Sequence, residues 1–234
     1  MLTVCDLQAG YGHSLVVRGV HAQVAPGQIV ALLGRNGSGR STLAKALMAL
    51  VPWRGTVHWR GHALAGMRTF EIARLGIGYV PETRDVFAGL SVHQYLLLGQ
   101  QTTRRRDAAA VWGFDDLYRM FPALHLRRDV DAGVLSGGEQ QMLSLCRTLI
   151  GAPELVIVDE PTEGLAPALV QQVASCLLEL RRRGIAVLLI EQKLSIALAV
   201  SDRVMLMGRG VIVFDGLPQA LQQQPTLVQE WLQV

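Results

Sequence analysis

Gly34-Arg35-Asn36-Gly37-Ser38-Gly39-Arg40-Ser41-Thr42 follows the apolar run Ile29–Leu33 and leads into a helical pattern from about Ser41 to Leu50. The stretch has the phosphate-loop spacing G-x-x-x-x-G-K-[ST] at every place but one. Its glycines admit tight backbone angles, so successive N–H groups converge on phosphate oxygens. The positive end of the following helix faces the same anion. Ser41 is the expected hydroxyl ligand of Mg²⁺, and Thr42 is expected to reach the α-phosphate. Arg40 stands where the spacing has Lys. It keeps the positive charge but replaces a compact ammonium with a wide planar fork. Nucleotide binding is expected to survive this exchange; the hydrolysis rate is left open.

A second site element lies about 120 residues downstream, where the apolar run Leu155-Val156-Ile157-Val158 ends in Asp159-Glu160. Taken alone, this is a strand leaving a core. Paired with the phosphate loop it reads as the acidic half of a nucleotide site. Successive strand side chains point to opposite faces, so the two acids take different roles. Asp159 suits Mg²⁺, held directly or through its hydration shell. Glu160 suits polarising the attacking water as general base.

The first ~30 residues alternate and turn, with strands at Leu2–Leu7 and Ser14–Val20 around a break at Ala9–Gly12, which reads as an antiparallel region. Further strands are expected at Gly55–Arg60, Gly76–Val80, Ala186–Ile190 and in a hairpin over Arg203–Phe214. Helices are expected at Thr69–Leu75, Gly137–Leu149, Ala168–Arg183 and Leu194–Val200. Between about 83 and 133, apolar residues recur at helical spacing in Val92–Leu98, Ala108–Trp112 and Leu117–Phe121, which predicts a mainly helical insertion. Strands alternating with helices imply a largely parallel sheet with helices on both faces.

Leu135-Ser136-Gly137-Gly138-Glu139-Gln140-Gln141 lies between these two site elements. Ser136 offers a hydroxyl and Gly137 and Gly138 bare N–H groups at a helix start, a second anion-binding terminus. The stretch is similar to the LSGGQ signature, with Glu139 for the usual Gln, and over essentially its full length the chain resembles the nucleotide-binding subunits of ABC transporters. The resemblance implies an α/β P-loop NTPase core of the ABC type. Its parts are a mainly parallel sheet, an N-terminal antiparallel β region and a helical subdomain inserted before the signature, all in one domain over residues 1–234. It also implies roles for single residues. Tyr11 looks like the aromatic that stacks on adenine. Glu82 stands where the family has a Gln that touches Mg²⁺ or water and senses the membrane partner. Thr162–Ala166 is similar to the loop after the acidic pair, with Ala166 for a frequent Asp. Gln192 stands at the switch-histidine position; its amide can bond a γ-phosphate but cannot become a cation.

Tyr-Val-Pro-Glu, Leu-Ser-Gly-Gly-Glu-Gln-Gln, Glu-Gly-Leu-Ala-Pro and the pair Glu191-Gln192 resemble the LivF-type ATPases, which serve importers of branched-chain amino acids and related amino acids or amides, with urea importers close kin. The resemblance implies ATP hydrolysis and a head-to-tail dimer with a second ATPase, a paralogue or the chain itself. It implies transmembrane permeases, indirectly a periplasmic binding protein, no nucleic acid, and a peripheral place on the cytoplasmic face of the inner membrane. Arg40, Glu82, Ala166 and Gln192 leave open a nucleotide-sensing subunit with little turnover.

Bulk properties agree with this. The formal net charge of +3 over 234 residues is too mild to argue for nucleic acid. Arg104–Arg106 and Arg181–Arg183 read as solvated faces, and Lys occurs only at positions 45 and 193. Mean hydropathy is +0.29, yet no apolar run reaches the roughly 18–20 residues of a spanning helix. The apolar excess fits an interface with partner subunits or an Ala- and Leu-rich core. Cys5, Cys146 and Cys176 fit no metal or disulfide spacing, so a reducing compartment is expected, and no secretory leader is legible.

Overall fold

The computed structural model describes residues 1–100 and 112–232. Its centre is a six-stranded sheet in the order β10-β9-β3-β8-β7-β6. The strands are β3 (Ile29–Leu33), β6 (Ile77–Val80), β7 (Leu155–Asp159), β8 (Ala186–Glu191), β9 (Arg203–Gly208) and β10 (Val211–Gly216). All neighbours pair in parallel except β9 and β10, the terminal hairpin. Every residue of β3, β7 and β8 is buried, which explains why these runs are continuously apolar rather than alternating.

A second, antiparallel sheet has the order β2-β1-β4-β5, built from β1 (Leu2–Tyr11), β2 (Ser14–Val24), β4 (Trp53–Trp59) and β5 (His62–Ala63). Leu2 and Val4 face the core at even positions, but Leu7 and Ala9 do so at odd ones. The phase change is a bulge at Asp6, whose φ is 50°, with the register to both neighbouring strands shifting there. The break expected at Ala9–Gly12 is therefore later and shorter. Ala9 is a buried strand residue paired with Val17, and the chain turns at Gly12-His13.

The two sheet faces are covered differently. Val156, Val158, Val187 and Leu189 pack against α6 (Gly137–Ile150), α7 (Pro167–Arg182) and the helical insertion. Val30, Leu32, Ile157 and Leu188 pack instead on α1 (Arg40–Leu47) and the antiparallel sheet. Helices therefore lie on both faces, and on this side α1 shares the cover with the antiparallel sheet. Leu2, Val4, Leu7, Val57 and Trp59 supply the apolar face that makes such a cover stable. The short α2 (Thr69–Arg74) leads into β6. At the far edge Ala31, Leu33, Val204 and Leu206 pack with α8 (Leu194–Val200), α9 (Pro218–Gln222) and α10 (Pro225–Leu232).

The insertion contains α3 (Val92–Leu97), α4 (Phe114–Met120) and α5 (Pro122–Leu126), followed by a 3₁₀ turn at Ala132–Val134. Tyr95, Leu96, Leu117, Phe121 and Leu124 bury against α6 residues such as Leu143 and Leu149. Most of the helix expected over Ala108–Trp112, like the run Arg104–Arg106, lies outside the described residues. Trp112 itself is buried and not helical, with the Arg183 guanidinium 3.9 Å from its ring centroid. Arg183 therefore leaves the solvated face read for its run: its side chain is only 19% exposed and pairs with Glu179. No helix among the described residues is long and apolar enough to cross a membrane.

Candidate functional site

The parallel register sets the site. β3, β8 and β7 lie side by side and end level, with Leu33 opposite Glu191 and Asp159 opposite Ile190. The loops leaving these three carboxyl ends therefore meet, the usual place for a ligand in an open parallel sheet. After β3 the chain wraps through Gly37 and Gly39, at φ 80° and 109°, a conformation that strains any residue with a Cβ. Gly39 starts α1 without a side-chain cap, and the first turn holds no acidic residue. Its N–H groups stay free for an anion.

A cavity of about 370 Å³ opens there, lined by Val16, Asn36, Gly37, Ser38, Gly39, Arg40, Ser41, Thr42, Glu82, Glu160, Glu163 and Gln192. The structure thus brings together Asn36–Thr42 of the glycine-rich loop, the second acid Glu160, Glu82 and Gln192. Two of the lining residues carry a buried donor without a partner, Ser38 Oγ and Arg40 Nη1. Such groups cost free energy unless a ligand or water accepts from them.

Asp159 and Glu160 do not address opposite faces, as strand alternation had suggested. Asp159 is the last residue of β7, and Glu160 has φ 47°. This left-handed turn swings the second carboxylate back toward the loop that the first one faces. Ser41 Oγ donates to Asp159 Oδ1 at 3.1 Å, and Tyr79 OH donates to Asp159 Oδ2 at 3.4 Å. Arg40 Nη2 lies 2.7 Å from Glu160 Oε1, and both side chains are buried. Burial pushes the Glu160 carboxyl up to about 7; the Arg40 charge opposes this, and neighbouring Glu191 adds to it. Burial also raises the Asp159 carboxyl, against the hydrogen bond from Ser41.

The oxygens of Ser41, Asp159 and Glu82 form a hard donor set suited to Mg²⁺. Among the described residues, no group of three or more His, Cys, Asp or Glu could hold a metal ion. A cation here would need phosphate oxygens and water to complete its shell, which is the normal manner of Mg²⁺.

Other expected residues lie apart from the cavity. Tyr11, at the end of β1, is 49% exposed and is not in its wall; Val16 of β2 is. Gly34 sits behind the loop, so close that a Cβ would meet Met207 O at 2.5 Å. Arg35 points to a separate cavity of about 300 Å³ beside Arg209 and Trp231. Ser136 caps α6, accepting from Glu139 N at 3.3 Å, while Glu139 Oε2 accepts from Ser136 N at 2.9 Å. Neither Ser136 nor Gly137 nor Gly138 lines the chain's own cavity. The Arg84 guanidinium lies against Gly137 and donates to Glu163 O.

Sequence reasoning missed Arg84, and it read Glu163 and Glu191 only as marks of resemblance. Glu191 is buried, accepts from Thr162 Oγ1, and bonds the N–H of Gln192 and of Lys193 at 3.0 Å each. One signal was present: Ala186–Ile190 is an apolar run ending in a carboxylate, the same pattern as Leu155–Asp159.

Residues 17–163 match the family model of the ABC transporter. The chain is 36% identical over 233 residues to the high-affinity branched-chain amino acid transport ATP-binding protein BraG of Pseudomonas aeruginosa, covering 99% of each chain. It is 31% identical over 235 residues to the lipopolysaccharide export system ATP-binding protein LptB of Acidithiobacillus ferridurans, covering 99% of this chain and 96% of that one. A solved ATP-binding subunit of an ABC transporter superposes with a TM-score of 0.84 at 28% identity, over 97% of this chain and 94% of that one. With the fold, the cavity and these likenesses in agreement, the chain belongs to the ATP-binding subunits of the ABC transporters, which hydrolyse ATP to drive transport.

Proposed function

We propose that this subunit energises an importer of branched-chain amino acids or related amino acids and amides. The likeness to BraG supports the solute class and the motif resemblance to LivF-type ATPases agrees, while the likeness to LptB gives the competing outcome, lipopolysaccharide export. In this reading the chain is one ABC domain, peripheral to the cytoplasmic membrane face. It dimerises head to tail with a second ATPase and works with permeases fed by a periplasmic binding protein.

The observation that carries the site assignment is the cavity whose wall joins the loop Gly37–Thr42 to Glu82, Glu160 and Gln192. The phosphates of ATP lie in Gly37–Thr42, with Gly34, Arg35 and Asn36 forming the entry to the loop. Tyr11 stacks on adenine outside the cavity. Ser41, Asp159 and Glu82 hold Mg²⁺, whose charge, when bound, offsets that of the β- and γ-phosphates. Glu160 takes the proton of the attacking water as its oxygen bonds to the γ-phosphorus. The bond to the β,γ-bridging oxygen breaks, and its electron pair leaves with ADP. A carboxyl raised to about 7 is well matched to that exchange near neutral pH. The Gln192 amide hydrogen-bonds the γ-phosphate. Ser136, Gly137 and Gly138 serve the nucleotide of the partner, which fits their place outside their own cavity.

The hold of Arg40 on Glu160 favours one further reading, a nucleotide-sensing subunit of low turnover. Reconstitution with the permeases and binding protein tests both. ATP-driven leucine uptake into vesicles supports the importer. ATP binding without turnover in that complex supports the sensor, and turnover stimulated by no amino acid or amide overturns the solute class.

A further inference from the structure

β8 ends in a carboxylate that the chemistry proposed above does not use. Glu191 is 1% exposed, and Thr162 is fully buried. A carboxylate so placed is costly unless its lone pairs are filled, and here they are filled by two loops of the site. Oε1 accepts from Thr162 Oγ1, in the loop after Glu160. Oε2 accepts the N–H of Gln192 and of Lys193, each at 3.0 Å. Lys193 Nζ closes the ring by donating to Thr162 O at 2.9 Å. The Gln192 N–H is shared: it also donates to Glu160 Oε2 at 3.2 Å. A continuous hydrogen-bonded path therefore runs from Thr162 through Glu191 and the Gln192 backbone to Glu160, and on to Arg40 at 2.7 Å.

β8 does not need these bonds for its own cohesion, because its backbone pairs with β3 and β7. What they fix is the position of Gln192 and of the loop that carries Glu163, both in the cavity wall. We propose that Glu191 is a positioning residue of the hydrolytic site: it clamps the Gln192 loop to the Thr162 loop and thereby sets the N–H that orients Glu160. This rests on the reading of Glu160 as the general base. Glu191 does not line the cavity, and it acts through the backbone of its neighbour.

The test compares Glu191→Ala, Glu191→Gln, Thr162→Val and Glu160→Gln in the assembled transporter, measuring ATP affinity and kcat on folded protein. Glu191→Ala is expected to lower kcat about tenfold or more with ATP affinity within about twofold, the split of an interaction that matters only in the transition state. Glu191→Gln recovers most of the loss, since its amide oxygen accepts both N–H groups and its NH₂ donates to Thr162 Oγ1. Thr162→Val slows kcat in the same direction, and it decides the matter if Glu191→Ala does not fold. Unchanged kcat per folded molecule in Thr162→Val, or equal loss in Glu191→Ala and Glu191→Gln, overturns the proposal. Glu160→Gln separates the two layers: if it turns over ATP normally, the general-base reading fails. If it stalls while the Glu191 and Thr162 variants do not, the clamp alone fails.

Discussion

Arg40 grips Glu160: guanidinium Nη2 and carboxylate Oε1 are 2.7 Å apart, at 5% and 8% exposure, in the wall of the phosphate cavity. The same guanidinium reaches Asn36 Oδ1 at 3.4 Å through Nη2 and leaves Nη1 without a partner. One cation thus faces two demands, the phosphate and the acid proposed to activate water. The family spacing has Lys here, a single ammonium on a flexible stem.

Arg40→Lys is expected to raise turnover in the assembled transporter with ATP affinity nearly unchanged. The charge remains for the phosphates and the planar hold on Glu160 is lost; each 1.4 kcal/mol recovered in the transition state is about tenfold in rate. Equal or slower turnover would show that the fork is accommodated at no cost. Arg40→Ala is the control and should weaken ATP binding, measured by fluorescent-nucleotide titration.

Glu160→Gln is expected to bind ATP normally, to hydrolyse it at least about a hundredfold more slowly, and to accumulate a closed ATP-bound dimer on size exclusion. Losing the charge also weakens the hold of this side chain on Arg40. A parental rate would mean that Glu160 is not the base.

Tyr11→Ala should weaken nucleotide binding by about 1–3 kcal/mol, the scale of base–aromatic stacking. Tyr11 is half exposed and outside the cavity wall, so fold stability should hardly change. Isothermal titration with ATP and with inorganic triphosphate discriminates: only ATP should lose affinity.

Ser136→Ala should act twice. Loss of the N-cap of α6 should lower stability by about 0.5–2 kcal/mol, seen in urea unfolding of the single chain. In a heterodimer with one variant subunit, hydrolysis should fall at the site built on the partner's phosphate loop.

Glu179 predicts a pH signature of stability. Hydrogen bonds from Arg182 and then Arg183 hold its carboxyl at about 2, below the ordinary value of 4.5. A folded-state pKa lowered in this way stabilises above the unfolded value and is lost as pH falls toward the folded one. Glu179→Gln should therefore be less stable than the parent above about pH 5, with the difference closing between about pH 4.5 and 2. Chemical unfolding across that range checks it; a pH-independent gap would assign the effect to packing on Trp112 through Arg183.

Much of the site is legible in the chain because its chemistry is local. Gly34–Thr42 is one contiguous loop, and its phosphate-binding power follows from glycine backbone freedom and a helix start, which neighbouring residues determine. The buried character of Ile29–Leu33, Leu155–Val158 and Ala186–Ile190 is equally plain, since an unbroken apolar run of strand length has few other uses. Ser136–Gly138 was legible for the same reason as a helix start, and these residues lie outside the chain's own cavity.

Tertiary structure decided the rest. The left-handed turn at Glu160 replaced strand alternation and put both acids on the phosphate loop. The antiparallel sheet, itself expected from the alternating N-terminal residues, packs on the same sheet face as α1, a placement that no local pattern sets. Arg40 meeting Glu160, and Glu191 tying Thr162 to Gln192, depend on β3, β8 and β7 ending level side by side. Local propensity carries no information about which strand ends will be neighbours. That comes from the parallel pairing of buried strands far apart in sequence, and it converts separate loops into one cavity.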